Sequence, residues 1–277
     1  LGTPALGQAP SAKRPISGGC VSDVMQLSMP DGSEVIAKLG KPGSGLKTEG
    51  WMLRYLSKHS RLPVPEVLYE SDTLLAMEYI PNVGGIDRNA QVDAADLLAA
   101  LHNISAPKYG LERDTLIGGL NQPNPQSKKW LPFFRDQRLL YMGRQSVEAG
   151  RMPKLLFSRL EKFCTLLGEF LEEPVAPSLI HGDIWAGNVL CSRGQIAGFI
   201  DPAIYYADAE IELAFSTLFD TFSDPFFSRY AEHRPIRPGF IEVRRHIYNL
   251  YPLLVHVRLF GGSYVGSVAA TLARFRS

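Results

Sequence analysis

The chain has 277 residues, of which 45% are hydrophobic and 21% charged, so it can bury a core large enough for one domain or for two lobes that share a cleft. The formal net charge is only +1 and no basic run occurs, which argues against nucleic-acid binding and against attachment to an anionic membrane. Three scattered cysteines are too few for a disulfide framework or a zinc site. We therefore expect a reducing, cytoplasmic compartment, with neither a signal peptide nor a membrane span.

The first part of the chain has the pattern of a small α/β lobe. Polar and apolar residues roughly alternate on both sides of Pro30-Asp31-Gly32-Ser33, which is typical of a β-hairpin closed by a turn. Helical spacing then precedes two further apolar runs. The predicted elements are a loose leader at residues 1–14, strands at 21–29 and 34–39, a helix at 48–58, and strands at 67–69 and 73–80.

The remainder of the chain is mainly helical in pattern. A connector at residues 81–85 separates an N-terminal lobe, residues 15–80, from a larger lobe, residues 81–277. Pro252 is expected to kink or break the last long helix. Helices are predicted at residues 90–102, 157–171 and 240–260, and short strands at 189–191 and 196–200.

The strongest chemical signal is His181-Gly182-Asp183-Ile184-Trp185-Ala186-Gly187-Asn188, followed by an apolar strand that ends at Asp201. This spacing is typical of the catalytic loop of kinases. Asp183 can orient the attacking hydroxyl and accept its proton. Asn188 and Asp201 supply the hard oxygen ligands that Mg²⁺ prefers. The alternative, in which Asp183 and Asn188 only form turn and cap contacts, is disfavoured by the later strand-borne Asp201.

A second signal is Lys38 at the end of an apolar strand, with Glu49 eleven residues later inside a predicted helix. In kinase folds a strand lysine holds the ATP phosphates, and a helix glutamate holds that lysine. Either residue alone would more often be an exposed surface charge. Their position upstream of the catalytic motif, in the expected order, favours a nucleotide-binding pair.

Two segments complete the expected ATP site. Ser17-Gly18-Gly19-Cys20 precedes a strand, and its glycines would let backbone N–H groups approach phosphates, although an ordinary glycine turn is the alternative. Met77-Glu78-Tyr79-Ile80 is expected to connect the lobes. Backbone groups of Glu78 and Ile80 would then bond the adenine edge, and their side chains would matter less.

Taken together, these motifs resemble the fructosamine kinase family, within the aminoglycoside phosphotransferase and choline kinase group. Asp201-Pro202-Ala203-Ile204-Tyr205-Tyr206 is similar to the family's signature after the metal-binding aspartate. The likeness spans roughly residues 15–265 and implies an α+β, two-lobed protein-kinase-like fold. Asp208-Ala209 and the glycine-rich residues 40–45 depart from the family's pattern.

The resemblance implies ATP- and Mg²⁺-dependent phosphorylation of the sugar 3-hydroxyl of ketosamines, which are fructosamine or ribulosamine adducts of amines. The phosphate then destabilises the adduct, so the implied role is deglycation. The substrate would be a small or protein-attached ketosamine, and the enzyme a monomer or a dimer. Trp185, Trp130 and Tyr205 are candidates for an aromatic wall around the sugar or amine, with core packing as the alternative.

Two other functions stay open at this point. The first is a kinase of the same fold acting on an aminoglycoside, choline or a free sugar. The second is a nucleotide-binding pseudokinase. The pseudokinase is disfavoured because the chain keeps the whole set expected for catalysis, namely Lys38, Glu49, Asp183, Asn188 and Asp201.

Overall fold

The N-terminal part of the chain forms a five-stranded antiparallel sheet with the strand order β1-β2-β3-β5-β4. The structure is a computed structural model, and it describes residues 7–16 and 23–275. The strands are β1 (Ala12–Ile16), β2 (Asp23–Ser28), β3 (Glu34–Leu39), β4 (Val67–Glu70) and β5 (Leu74–Glu78).

The predicted hairpin is confirmed as β2 and β3, which pair from Asp23 opposite Leu39 to Ser28 opposite Glu34. The turn between them is held by the Asp31 carboxylate, which accepts a hydrogen bond from the Ser33 N–H at 2.9 Å. An aspartate bonding the backbone two residues ahead stabilises such a turn locally. The hairpin places Lys38 on the central strand of the sheet.

Strand β1 corrects the expectation of a loose leader at residues 1–14, because it begins at Ala12 and pairs with β2 along its whole length. Its side chains are exposed on both faces except for the partly buried Ile16. An edge strand that buries neither face needs no alternation of polar and apolar residues. Backbone hydrogen bonds therefore define it, and the sequence pattern carries no signal of it.

The helix α1 (Leu46–His59) joins the two parts of the molecule. Leu46 and Leu53 pack against strands β4 and β5 of the sheet. Met52 and Leu56 belong instead to the large core of the helical part. One helix thus contributes buried surface to both cores, which fixes the sheet against the rest of the chain.

The C-terminal part is mainly helical around one large core, as predicted for an α+β fold. Three two-stranded antiparallel sheets lie among the helices: β6 (Thr115–Ile117) with β7 (Leu120–Gln122), β8 (Ser178–Ile180) with β11 (Tyr205–Ala207), and β9 (Val189–Ser192) with β10 (Gln195–Phe199). The helices are α2 (Arg88–His102), α3 (Trp130–Phe134), α4 (Tyr141–Glu148), α5 (Lys154–Cys164), α6 (Leu167–Phe170), α7 (Glu210–Ser216), α8 (Asp224–His233), α9 (Arg245–Tyr248), α10 (Leu250–Phe260) and α11 (Ser263–Arg274), with π-helical turns at Arg135–Leu140 and Phe240–Arg244.

The helix predicted at 157–171 is divided in the structure, and the helix 240–260, in which a kink or break was expected at Pro252, is divided before that residue. The segment 157–171 is divided between α5 and α6, and the segment 240–260 contains a π-helical turn followed by α9 and α10. Pro252 lies in the first turn of α10, where its missing N–H costs no helical hydrogen bond. The break therefore precedes the proline. Within residues 7–16 and 23–275, every helix is too short or too polar to cross a bilayer.

Helix packing in this part depends on a close approach at Gly143. A Cβ atom there would lie 2.8 Å from the Phe157 ring on α5, whereas a Cβ atom at Gly266 on α11 would meet nothing within 4 Å. Alanine is the better helix former at an unhindered position, but overpacking a tight contact destabilises the protein. We expect Gly143→Ala to lower the free energy of unfolding by about 1–2 kcal/mol. The matched Gly266→Ala should raise it by about 0.5–1 kcal/mol. Urea unfolding measures both, and equal effects at the two positions would contradict the packing described.

Candidate active site

The site is centred on a buried ammonium group shared by two carboxylates. Lys38 Nζ on β3 donates to Glu49 Oε1 on α1 at 2.6 Å and also to Asp201 Oδ1. Burial acts to lower the pKa of Lys38, but the charges of Glu49 and Asp201 outweigh it and the pKa is raised. Lys38 is therefore a fixed cation. The structure brings together this predicted pair with the predicted strand-borne aspartate.

The catalytic loop is held in place by the pairing of β8 with β11. The Ala203 N–H donates to the carbonyl of His181 at 2.7 Å, so the loop lies directly against the chain that follows Asp201. Gly182 has φ of +90°, and a Cβ atom there would lie 2.2 Å from the Ala203 carbonyl oxygen. No other residue fits at this position without moving the loop.

Asn188 fixes the conformation of Asp183. Its Nδ2 donates to the Asp183 backbone carbonyl at 2.9 Å and to the Asp183 Oδ2 at 3.0 Å. These two bonds leave the amide oxygen of Asn188, which is a hard ligand, free to accept elsewhere. A turn of 3₁₀-helix at Ala186–Asn188 brings the two side chains together. Asn188 thereby holds the Asp183 side chain in one orientation.

The surroundings of Asp183 disfavour its ionised form. Burial and the charge of Asp201 raise its pKa to about 8, whereas the hydrogen bond from Asn188 acts to lower it. Nearby His181 is fully buried, and burial lowers its pKa to about 4, so its imidazole is neutral at physiological pH. A carboxyl group with a raised pKa in a cleft is typical of a catalytic acid or base.

Asp201 lies two residues beyond the end of β10, in a left-handed backbone conformation with φ of +55°. Its side chain is 42% exposed, so the carboxylate reaches the cleft while one oxygen contacts Lys38. The Ile200 N–H donates to the Asn188 carbonyl at 3.1 Å. That bond joins the Asp201 segment to the catalytic loop.

Glu212 is a residue of this site whose role was not predicted from the sequence. Its Oε1 accepts the Gly182 N–H at 2.5 Å, and its Oε2 contacts His102 Nε2 at 2.7 Å. The other nitrogen of His102, Nδ1, contacts the hydroxyl of Tyr230 at 2.7 Å. The carboxylate is 2% exposed, yet the hydrogen bond and charge of His102 outweigh burial and lower its pKa. Thirty residues separate Glu212 from the loop that it holds, so local spacing gave no signal.

The segment predicted to connect the lobes lies at the end of β5. Met77 is buried in the sheet, and the Glu78 N–H donates to the Glu66 carbonyl at 2.9 Å. The Tyr79 N–H donates to the Glu34 carbonyl at 3.3 Å, whereas within the described residues the Ile80 N–H has no hydrogen-bond partner. The Glu78 N–H is therefore already engaged. The Ile80 N–H is the donor in this segment that adenine could use.

The other predicted ATP contacts, at Gly18, Gly19 and Cys20, lie outside the described residues and stay predictions.

The three predicted substrate contacts have different positions. Trp185, two residues after Asp183, is 41% exposed. Tyr205 is 1% exposed, but its ring lines a pocket that also reaches Asp183, and the guanidinium of Arg138 lies 3.8 Å above it. The expectation that Trp130 contacts the substrate is corrected by its position. The side chain is fully buried, and its indole N–H donates to the Tyr248 hydroxyl at 3.1 Å. It is part of the core and does not line this pocket.

The pocket beside Asp183 is small and mainly apolar, with a volume of about 30 Å³. Glu212 and His256 are its other acidic and basic neighbours, and the rest of its wall is aliphatic and aromatic, including the phenols of Tyr205 and Tyr251. Besides Asp183, the lining residues are Ile117, Ile180, Gly182, Tyr205, Ile211, Glu212, Phe215, Tyr251, Pro252, Val255 and His256.

The family model described as "Fructosamine kinase" matches residues 4–276. The chain belongs to the fructosamine kinase family. The resemblance seen in the motifs is thereby confirmed, and the chain is a phosphotransferase of the kinase type.

Relatives and solved structures agree with this family. A Vibrio parahaemolyticus protein described as "probable ketoamine kinase" is 32% identical over 238 residues, which cover 83% of this chain and 80% of the relative. The crystal structure of a candidate fructosamine-3-kinase from Thermobifida fusca superposes with a TM-score of 0.87 at 29% identity, covering 98% of this chain and 96% of the other. An aminoglycoside phosphotransferase in complex with ADP and hygromycin B has a TM-score of 0.69 at 15% identity, covering 98% and 96%. At that identity the likeness shows the kinase-like fold alone.

The contact between Glu212 and the catalytic loop can be tested by Glu212→Gln. The neutral amide keeps one acceptor oxygen for two donors, so one charge-assisted bond is lost from a buried site. We expect the free energy of unfolding to fall by about 1.5–3 kcal/mol and kcat to fall, with KM for ATP little changed. Glu161→Gln makes the same chemical change at an exposed position and should alter neither quantity. If the two variants unfolded alike, Glu212 would not hold the loop.

Proposed function

We propose that this fructosamine kinase family member transfers the γ-phosphoryl group of ATP to the sugar 3-hydroxyl of ketosamines. The observation that supports it most directly is that Asp183 lines an apolar pocket, is bonded by Asn188 and lies close enough to the Lys38–Asp201 pair for the Asp201 charge to raise its pKa. Asp183 suits a reacting hydroxyl, the Lys38–Asp201 pair suits a phosphate chain, and the pocket suits a small carbon-rich acceptor. The names of the relatives point to the same acceptor class.

Nucleotide binding follows from the charge of Lys38 and from the segment after β5. A buried ammonium already paired with Glu49 and Asp201 is held rigidly, so it can contact phosphate oxygens without losing side-chain freedom. The Ile80 N–H and the Glu78 carbonyl are the backbone groups assigned to the adenine edge. The aminoglycoside phosphotransferase that shares the fold forms a complex with ADP, which supports nucleotide binding by this chain.

A magnesium ion fits the residues at this site. Asn188 turns its amide nitrogen to Asp183, which leaves an oxygen for a metal, and the half-exposed Asp201 carboxylate has an oxygen beyond the one at Lys38. Both are the hard oxygen ligands that Mg²⁺ takes, and phosphate oxygens and water would complete its shell. When bound, the ion would neutralise charge on the transferring phosphoryl group. Among the described residues no three His, Cys, Asp or Glu side chains cluster as a metal site.

The proton of the acceptor hydroxyl would pass to Asp183. Only the ionised form of Asp183 can accept this proton. Burial and the charge of Asp201 raise its pKa to about 8, so that form is a stronger base than an ordinary aspartate and its fraction rises as the pH rises through about 8. Asn188 keeps the reactive oxygens in one orientation through its bonds to the Asp183 side chain and backbone. Neutral His181 behind the loop adds no competing positive charge. Phosphorylation of the 3-hydroxyl would then destabilise the sugar–amine adduct, which is the proposed deglycation.

The deciding experiment is a panel of acceptors assayed in parallel with ATP and Mg²⁺. We expect ribulosyl-lysine or fructosyl-lysine to be phosphorylated, an aminoglycoside and choline to be inert, and removal of Mg²⁺ by a chelator to stop turnover. Phosphorylation of the aminoglycoside or of choline without a ketosamine would show a different kinase of the same fold. Nucleotide binding without any turnover would show a pseudokinase.

Asp183→Asn tests the proposed base directly. The amide cannot accept the proton, so kcat should fall by about 10²–10⁴-fold while ATP affinity stays close to that of the wild type. Asp136→Asn changes a carboxylate paired with Arg135 at the surface and serves as the matched control. Single-turnover kinetics measures the chemical step separately from product release. A variant with near-wild-type kcat would remove Asp183 from the mechanism.

A further inference from the structure

A continuous group of aromatic rings lies on the surface beside the candidate active site. We call it the aromatic strip and define it as Trp185, Phe219, His256, Phe260 and Tyr264. Among the described residues, three of the eight large hydrophobic side chains that are exposed belong to it: Trp185 at 41%, Phe219 at 36% and Phe260 at 48%. Exposed apolar side chains that gather in one place mark a binding surface more often than scattered ones do.

The rings of the strip contact one another in sequence. Trp185 and Phe219 have centroids 6.4 Å apart in an edge-to-face arrangement, and Phe219 lies 5.1 Å from His256. His256 in turn lies 5.7 Å from Phe260 and 4.8 Å from Tyr264. The strip therefore extends from the catalytic loop, through α10, to the start of α11.

His256 joins the strip to the pocket beside Asp183, because it lines that pocket and contacts three rings of the strip. Its Nδ1–H donates to the Pro252 carbonyl at 2.7 Å, which fixes the orientation of the ring. Burial lowers the pKa of His256, so the ring is neutral and suits an apolar neighbour. No charged side chain belongs to the strip.

The small volume of the pocket limits what enters it. About 30 Å³ accommodates one or two water-sized groups. Only the reacting end of an acceptor can lie there, and the rest must cross the surface outside. The surface continuous with the pocket wall at His256 is the aromatic strip.

We propose that the aromatic strip binds the carbon chain of the acceptor's amine, so that the enzyme selects ketosamines of amines with an apolar chain of several carbons. This inference rests on the proposed function and deepens it. A chain that covers Phe219 and Phe260 removes apolar surface of both partners from water. A short or strongly polar amine substituent would leave these rings exposed.

A homologous series of acceptors tests the strip. The probes are the fructose adducts of methylamine, propylamine and hexylamine, which carry the same sugar and the same secondary amine. Calorimetry with Mg²⁺ and a non-hydrolysable ATP analogue gives the affinity of each. We expect the wild-type affinity to rise about twofold per methylene, below the roughly fourfold expected for complete burial. The readout is this slope.

Phe219→Ala and Phe260→Ala should each flatten the slope by removing the surface that the chain covers. Both side chains are at least a third exposed, so the variants are expected to fold. Leu155→Ala removes apolar surface that is 77% exposed outside the strip, and it should keep the wild-type slope. A flat wild-type slope, or a slope that both phenylalanine variants retain, overturns the proposal.

Two parallel measurements separate this inference from its alternatives. Phosphorylation of the same adducts with ATP tests the proposed function. If no adduct were phosphorylated but affinity still rose with chain length, the proposed function would be refuted and binding of the chain at the aromatic strip would be supported. Sedimentation of the wild type and of Phe219→Ala detects a second copy bound at the strip. A change of oligomeric state with an unchanged slope would assign the surface to that copy and overturn the proposal.

Discussion

The ion cluster around Lys38 is the constraint on which the arrangement of the whole molecule depends. A buried ammonium needs compensating charge, and here that charge comes from Glu49 on α1 and from Asp201 beyond β10. The sheet, its helix and the helical part must therefore meet in one orientation. Because α1 also contributes Met52 and Leu56 to the large core, apolar packing and charge pairing favour the same arrangement.

The same cluster sets the properties of the catalytic loop. Asp201 pairs with Lys38, and its negative charge also helps to raise the pKa of Asp183. On the opposite side, Glu212 holds the Gly182 N–H and is itself held by His102. The loop is thus fixed between a charge cluster in the cleft and a buried polar network in the helical core. Such fully bonded networks maintain a geometry that loop residues alone would not keep.

The sequence predicted those features whose signals are local. The apolar alternation around a turn predicted β3 with its observed bounds, and the spacing from Asp183 to Asn188 predicted that both residues belong to one site. The hydrogen bonds between these two residues were not predicted. Features defined by tertiary contacts were not predictable in this way. Strand β1 depends on backbone pairing, and Glu212 acts on a loop thirty residues away. Trp130 was expected near the substrate, but it packs against other rings in the core and bonds to the Tyr248 hydroxyl there.

The choice of acceptor must arise outside the machinery that the fold shares. An aminoglycoside phosphotransferase with the same fold, at a TM-score of 0.69 and 15% identity, has hygromycin B in its complex, so the fold does not define the acceptor. In this chain the groups proposed to act on the phosphates lie on β3, on α1 and in the segment 183–201, whereas the pocket wall beyond Asp183 is built largely by β11, α7 and α10. Among the described hydrogen bonds and ion pairs, the residues of these elements that line the pocket make no contact with Lys38 or Asp201, although Glu212 and the backbone pairing of β11 with β8 hold the catalytic loop. Since Phe219 follows α7 and His256 lies on α10, the aromatic strip belongs to the part of the structure that can vary with the acceptor. Selection of the acceptor by apolar contact would then be separate from the charge cluster proposed to act in the transfer.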